Sequence, residues 1–467
     1  MFRHTPCGET IPPNNVHAVS VSIPTMADVI SYEEGENKDI KIGYPRFVLH
    51  PYLRKMADFL HIEYGLGQKY EIVLVSSQKF SNLIIEKYLL RSDVEFCEEF
   101  GVIAVLRDSD ELKSVLRFIQ HVGCNLSSRF AELYLHKRGL IDSLHIEELE
   151  EPNKAENLVL KTLSSAYKKD DICLSVSGMN AMYAVLKGAQ EIKKGLVVQL
   201  GWIYLDSMNL IEGYDSRVFY DVLDLDSVEK FLDSCEDSIS CVVTEVPTNP
   251  LLQCVDLKRL KGLCLKHDII LVIDSTFATA FTSIEEADIL VESLTKFACG
   301  NADILMGCFV LNKKYAKQKE KFLAHIDKPY IADIQRLGFE IKEYKSRVKK
   351  ANKNRELLVN FLEKKSFIKN VYHSSLSAVI SLEFSMPFTD AYDNLDFFKG
   401  PSLGTEFTLL MPYVYLAHYD LIASDKGKEL LKNNGIPIDL LRVSVGTEDI
   451  EDIKKEFEKL DLRRVVT

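Results

Sequence analysis

Between residues 155 and about 313, six short apolar runs alternate with amphipathic helical stretches. They cover 172–176, 196–200, 240–245, 269–273, 289–292 and 308–311, and none shows the polar alternation of a half-exposed strand. A strand that is apolar on both faces has no side to turn to water, so it belongs in a sheet covered above and below. Helical connections such as 257–267 carry the chain back over that sheet. The pattern predicts an α/β fold: a mostly parallel sheet with helices on both faces. Ligands in such folds lie beyond the carboxyl ends of the strands, so the residues that follow the runs come first.

The rest of the chain divides around this block. Residues 1–65 hold many turn formers, among them Pro6, Pro12, Pro13, Gly43, Pro45 and Pro51, and predict an extended arm with little regular structure. A small α/β segment follows at 66–150, with strands expected at 71–76 and 102–106 and helices at 82–90 and 111–119. The acidic stretch 145–153 marks a boundary before the large domain, 151–325. A charged helical stretch, 330–365, then leads through a C-terminal domain, 326–467, of α+β type, with strands near 378–384 and 441–445.

Composition excludes several classes. The net charge of -12, without long runs of one sign, argues against nucleic acid or an anionic membrane as the main partner. No run approaches the roughly 20 apolar residues of a membrane span, and the first residues lack an apolar signal region. The ten cysteines form no Cys-x-x-Cys pair and read as reduced thiols, so a cytoplasmic protein is expected.

Two residues suggest the chemistry. Asp274 ends an apolar strand, and Lys296 follows 22 residues later, just after Ser293 and Thr295. A strand-end carboxylate and an activated amine suit an enzyme that holds pyridoxal 5'-phosphate as a Schiff base: the carboxylate keeps the ring nitrogen protonated, and the two hydroxyls are suited to the phosphate. Ser177-Gly178-Met179 lies between a strand and a helix, where amides favour an anion, although such a turn taken alone is more often a cap. Asn249, in Glu245-Val-Pro-Thr-Asn-Pro, is able to donate to an anionic ring oxygen, or else cap its own loop. Arg442 sits inside an apolar strand and wants a carboxylate, from a substrate or from an internal salt bridge. Ser402-Leu-Gly404 offers another wall. His267 and His418 read as structural, no metal-ligand spacing is present, and no Gly-x-Ser-x-Gly or Walker sequence appears.

Together these segments, with Leu441-Arg-x-Ser-Val-Gly-x-Glu-Asp, resemble the Cys/Met-metabolism family of fold-type-I pyridoxal-phosphate enzymes, in the family's order over roughly residues 150 to 460. The N-terminal stretches Gly8-Glu-Thr-Ile-Pro-Pro-Asn-Asn and Gly43-Tyr-Pro-Arg-Phe, and Gly400-Pro-Ser-Leu-Gly-Thr-Glu, resemble the fungal-type cystathionine γ-synthase branch. The resemblance implies that Lys296 binds the cofactor covalently and shuttles protons. It implies that Asp274 pairs with the ring nitrogen and that Asn249 contacts the ring hydroxyl oxygen. Gly178 and Met179 amides with Ser293 and Thr295 hydroxyls would hold the phosphate, and Arg442, with Ser402 beside it, would bind the substrate carboxylate.

The implied reaction replaces the acyl group of an O-acylhomoserine by cysteine. A cystathionine lyase or O-acylhomoserine sulfhydrylase remains an alternative, and a non-catalytic regulatory relative is the reading from another class. The family's shared sites imply a homodimer or homotetramer. Two departures stand out. Leu200 occupies the place of the ring-stacking tyrosine, leaving Trp202 or Tyr204 to take over that task. The arginine lent to the phosphate across an interface is Arg129 or the Arg46 of Tyr44-Pro-Arg46, and Arg129 is favoured.

Overall fold

A computed structural model describes residues 5–44, 47–90 and 96–462. Its centre is a seven-stranded sheet of β5 to β11. In chain order these are Ile172–Ser175, Leu196–Leu200, Ser216–Phe219, Ile239–Glu245, Ile270–Asp274, Ile289–Ser293 and Gly307–Leu311. The spatial order is β5-β11-β10-β9-β8-β6-β7. All neighbours are parallel except β11, which runs against both β10 and β5.

The apolar runs have a direct cause. Along β9, Leu271 and Ile273 enter one core while Ile270 and Val272 enter the core on the other face. β8 divides its residues in the same way, with Val242 on one side and Cys241 and Val243 on the other. Most positions on both faces are apolar because each face of the sheet carries helices. At about 1.5–3 kcal/mol per fully buried aliphatic side chain, this double burial is a main driving term of the fold. β7, with exposed Ser216 and Arg217, is the polar edge that the apolar pattern did not reveal.

A second sheet of five strands lies in the C-terminal part: β12 (Ile368–His373), β13 (Val379–Phe384), β14 (Phe398–Lys399), β15 (Leu409–Pro412) and β16 (Leu440–Ser444), in the order β12-β13-β16-β15-β14. Its core also takes in Val21, Ile23, Met26 and Val29 from the start of the chain. Two short N-terminal strands, β1 (Thr10–Ile11) and β2 (Ser20–Val21), pair with each other, as do β3 (Tyr70–Val75) and β4 (Gly101–Leu106).

The arm differs from the sequence expectation, because it contains helices Met26–Glu33 and Pro51–Glu63. The first starts on a capping box: Asp28 N–H donates to Thr25 Oγ1, and Thr25 N–H donates to the Asp28 carboxylate, both at 3.1 Å. The second buries Leu53, Met56, Ala57 and Leu60, a helical spacing. The turn formers flank these helices rather than interrupt them. No helix among the described residues is long and apolar enough to cross a membrane.

Candidate active site

Three parallel strands end at one level. The β8/β9 register pairs Glu245 with Asp274, and the β9/β10 register pairs Asp274 with Val291, two residues before Ser293. The antiparallel β11 begins here with Gly307 beside Ser293. The helix Gly178–Ile192 starts at the same edge, with Ser177 as its cap: Ser177 Oγ accepts from Asn180 N–H at 3.0 Å and donates to the Gly123 carbonyl at 2.8 Å. A Cβ on Gly178 would lie 2.8 Å from Ser293 Cβ, and one on Gly307 would lie 2.5 Å from Gly178 Cα. The two glycines therefore let the helix N-terminus close on β10 and β11. The result is a cradle of amides and the Ser293 hydroxyl, suited to a phosphate.

The cradle opens into a cavity of about 690 Å³, within the usual range for small-molecule sites. Gly178, Met179, Asn249, Asp274, Ser293, Lys296, Ser402 and Arg442 all line it. Lys296 Nζ donates to Ser402 Oγ at 3.0 Å and lies 4.5 Å from the centre of the Tyr44 ring. Ser402 holds a φ of 108°, a strained value for a residue with a side chain. Gly404 lets this loop press on Lys296, since a Cβ there would come within 2.6 Å of Phe297 N.

Burial raises the Asp274 carboxyl above its ordinary value, and hydrogen bonds from Thr276 pull it back in part, one of them from the backbone N–H at 2.9 Å. Among the described residues Asp274 has no ion-pair partner, so a cation such as a protonated ring nitrogen is what its environment lacks. Glu245 beside it is pushed far up by burial and by Asp274, and its Oε2 has no hydrogen-bond partner.

Arg442 is 5% exposed. Its guanidinium donates to Asn249 Oδ1 at 3.2 Å, to the Ser402 carbonyl at 2.9 Å and to Met411 Sδ at 2.9 Å. The Tyr413 ring centre lies 5.4 Å away. Burial pulls its pKa below the ordinary value, only partly opposed by Tyr413 and Glu245. No ion pair to Arg442 occurs among the described residues, so the salt-bridge alternative finds no partner there. Asn249, with Oδ1 accepting from Arg442, has its amide N–H groups left for an anionic oxygen.

Two predicted residues are not brought to the cavity. Thr295 is fully buried, and its hydroxyl donates to the Met306 carbonyl at 3.2 Å while accepting Met306 N–H at 3.1 Å. Arg129 is also elsewhere. Its Nε and Nη2 each donate to Glu147 at 2.7 Å, and Nη1 donates to the Asp303 carbonyl at 2.7 Å and to Asp333 at 3.1 Å. Four of its five N–H groups are thus engaged by oxygens of its own chain. The tyrosine of the rival segment, Tyr44, lines the cavity of its own chain, while Arg46 lies outside the described residues.

Leu200, at the end of β6, points into the core rather than the cavity. The chain turns at Gly201, where φ is 97°, and Tyr204 lines the cavity. Trp202 lies behind it, its Nε1–H donating to His418 Nε2 at 3.2 Å. Residues the sequence reading missed include Tyr413 and Thr276. Thr276 Oγ1 accepts Ser293 N–H at 2.9 Å and so ties the two motif loops together. Its place two residues after Asp274 was the available signal.

These donors fit a phosphate-bearing aromatic aldehyde, with a cradle for the phosphate, a carboxylate for a ring cation, an amide for a ring oxygen and an amine for the aldehyde. Comparison with known proteins agrees. Residues 152–460 match the family model described as Cys/Met metabolism PLP-dependent enzyme. The L-2-amino-4-chloropent-4-enoate dechlorinase/desaturase of Streptantibioticus cattleyicolor is 33% identical, over 95% of this chain and 96% of its own length. The cystathionine γ-synthase of Neurospora crassa is 24% identical, over 96% of this chain and 97% of its own. Cystathionine γ-lyase from yeast shares the fold, with a TM-score of 0.57 at 21% identity, covering 68% of this chain and 92% of that one. With the motifs, the fold and these relatives in agreement, the chain belongs to the Cys/Met metabolism family of pyridoxal-phosphate-dependent enzymes.

Proposed function

We propose that the chain is a cytoplasmic cystathionine γ-synthase of methionine biosynthesis, which replaces the acyl group of an O-acylhomoserine with cysteine. The observation that carries this reading is Arg442 without a carboxylate partner among the described residues, in one cavity with the Lys296 amine. A guanidinium and an amine so placed suit an α-amino acid. The relationship to the Neurospora enzyme over nearly the full length of both chains supports the choice within the family.

Arg442 takes the α-carboxylate, its fork geometry fixing the orientation of Cα. Lys296, steered by Ser402 Oγ at 3.0 Å, moves a proton from Cα and then one from Cβ, the acyl group leaves Cγ as its carboxylate, the cysteine thiolate adds at Cγ, and Lys296 returns the protons to Cβ and Cα. Asp274 supplies the charge that a protonated ring nitrogen requires, and the amides at Gly178 and Met179 with Ser293 hold the phosphate. When bound, pyridoxal phosphate supplies an electron-withdrawing ring that spreads the charge left at Cα. Tyr204, in the cavity wall, would supply the aromatic contact to the ring, and the Tyr44-Pro45-Arg46 segment, whose Tyr44 lines the same cavity, would be the source of the phosphate's arginine. The assembly is a homodimer or homotetramer, which light scattering on the purified protein distinguishes from a monomer.

The test supplies O-acetyl- or O-succinylhomoserine with cysteine and looks for cystathionine. Release of keto acid and ammonia alone overturns the synthase reading. A second reading, loss of a Cγ substituent without replacement, is favoured by the 33% identical dechlorinase/desaturase. It predicts chloride release from L-2-amino-4-chloropent-4-enoate and no cystathionine.

A further inference from the structure

Helix Leu205–Ile211 begins at the cavity wall and carries a buried carboxylate, Asp206, in its first turn. Both oxygens of Asp206 are occupied. Oδ2 accepts the Tyr204 Oη–H and Oδ1 accepts Gln120 Nε2–H, each at 2.9 Å. A carboxylate withdrawn from water is costly unless donors replace the water, and these two donors do so.

Tyr204 is held at both ends. Its backbone N–H donates to the buried Glu245 carboxyl, its phenol goes to Asp206, and the ring between them lines the cavity. Ser207, the next residue after Asp206, also lines the cavity and donates to Met179 Sδ at 3.6 Å, beside the phosphate cradle. Gln120 arrives from the helix Asp110–Val122 of the small α/β segment, which packs against both the cradle helix and Leu205–Ile211. Leu200 ends its strand facing the core, so the aromatic ring comes four residues later, past the turn at Gly201. A Cβ on Gly201 would lie 3.0 Å from Val222 Cγ1 and 3.2 Å from Thr248 Cγ2, so the turn is tightly packed. A ring carried on a strand end is braced by its sheet. Tyr204 lies outside the sheet, at the cap of a short helix, and its bracing comes from the phenol tie.

We propose that Asp206 is a positioning residue for the cofactor ring: with Gln120 behind it, Asp206 pins the Tyr204 phenol so that the tyrosine presents a fixed aromatic face. A hydrogen bond from a hydroxyl to a carboxylate is short and directional, and it restrains a tilt of the ring that apolar packing alone leaves free. Through Gln120 the small α/β segment takes part in the site without touching it. The inference rests on Tyr204 as the aromatic contact to the ring, and it holds whichever group is exchanged at Cγ.

The experiment reads the bound cofactor in the holoenzyme rather than turnover. Affinity is measured by equilibrium dialysis, and visible circular dichroism reports how rigidly the ring is held. Tyr204→Leu is expected to raise the cofactor dissociation constant about tenfold and to remove most of the dichroic band. Tyr204→Phe and Asp206→Leu each cut the tie and keep the ring, so each should raise the constant about threefold and weaken the band. The double variant is expected to be no worse than either single one, because both changes break the same bond. If Asp206→Leu adds the same loss in the Tyr204→Phe background as in the wild type, the positioning role is overturned and the ring contact stands. A wild-type affinity and band in Tyr204→Leu remove the ring contact itself, and the positioning role with it. Should Asp206→Leu fail to fold, Gln120→Leu takes its place in the cycle and is read in the same way.

Discussion

Arg129 and Arg442 are both buried arginines, and the surroundings push them in opposite directions. Arg129 suffers the same loss of water, yet Glu147, Asp333 and Asp303 hold it above the ordinary arginine value. Arg442 falls below it, because its nearest acceptors are an amide, a carbonyl and a thioether. A buried cation surrounded by carboxylates is a structural tie. One surrounded by neutral acceptors and facing a cavity is a site awaiting an anion.

The contrast is broken most severely at Arg129. Arg129→Ala strands three carboxylates together and is expected to cost about 3–5 kcal/mol of stability, read by denaturant or thermal unfolding. The KM of the folded fraction should be unchanged. Arg442→Ala is expected to do the reverse. Thermal stability is held or raised, while kcat/KM for the amino-acid substrate falls roughly a hundredfold or more, since truncating one partner of a buried charge contact costs about 2–5 kcal/mol. If Arg442→Ala unfolds the protein and Arg129→Ala abolishes substrate binding, the assignment is inverted.

The wall behind Arg442 has its own pH signature. His418 accepts from Trp202 Nε1–H and contacts the Tyr413 hydroxyl, both at 3.2 Å, with Asp206 nearby as the main opposing charge. Burial lowers His418 from 6.5 to about 4. Its folded pKa lies below its unfolded one, so the neutral ring favours folding fully above pH 6.5, and this is lost as pH falls from 6.5 towards 4. The gap corresponds to about 3 kcal/mol. Unfolding measured across that window should show the slope in the wild type and a shallower one in His418→Gln.

The smallest effects separate Ser293 from Thr295. Ser293→Ala should weaken cofactor affinity about tenfold, the worth of one charge-assisted hydrogen bond. Thr295→Val should leave that affinity alone and cost about 1–2 kcal/mol of stability through Met306. Equilibrium dialysis with the cofactor and thermal unfolding read the two.

The pattern explains what the sequence disclosed. β8 to β10 announce themselves because both faces are apolar, and Asp274, Asn249 and Lys296 stand out as polar residues at or just beyond their ends, as Arg442 does inside the apolar β16. What stayed hidden depends on distance in the chain. The carboxylates that occupy Arg129 come from positions 147, 303 and 333, and no local spacing joins them. Thr295 looks like Ser293 in sequence, but β10 ends at Ser293 and the turn that follows carries the Thr295 hydroxyl to Met306 instead of the cavity. The arm helices were legible in the Thr25–Asp28 cap and in Leu53, Met56, Ala57 and Leu60, but the prolines around them drew the reading towards an extended chain.

Borohydride reduction of the cofactor-loaded protein, followed by peptide mass analysis, tests the cavity at its chemical centre. A phosphopyridoxyl group is expected on Lys296, and Lys296→Ala should carry none. An unmodified Lys296, or the same label on another lysine with Lys296→Ala still labelled, would contradict the site described above.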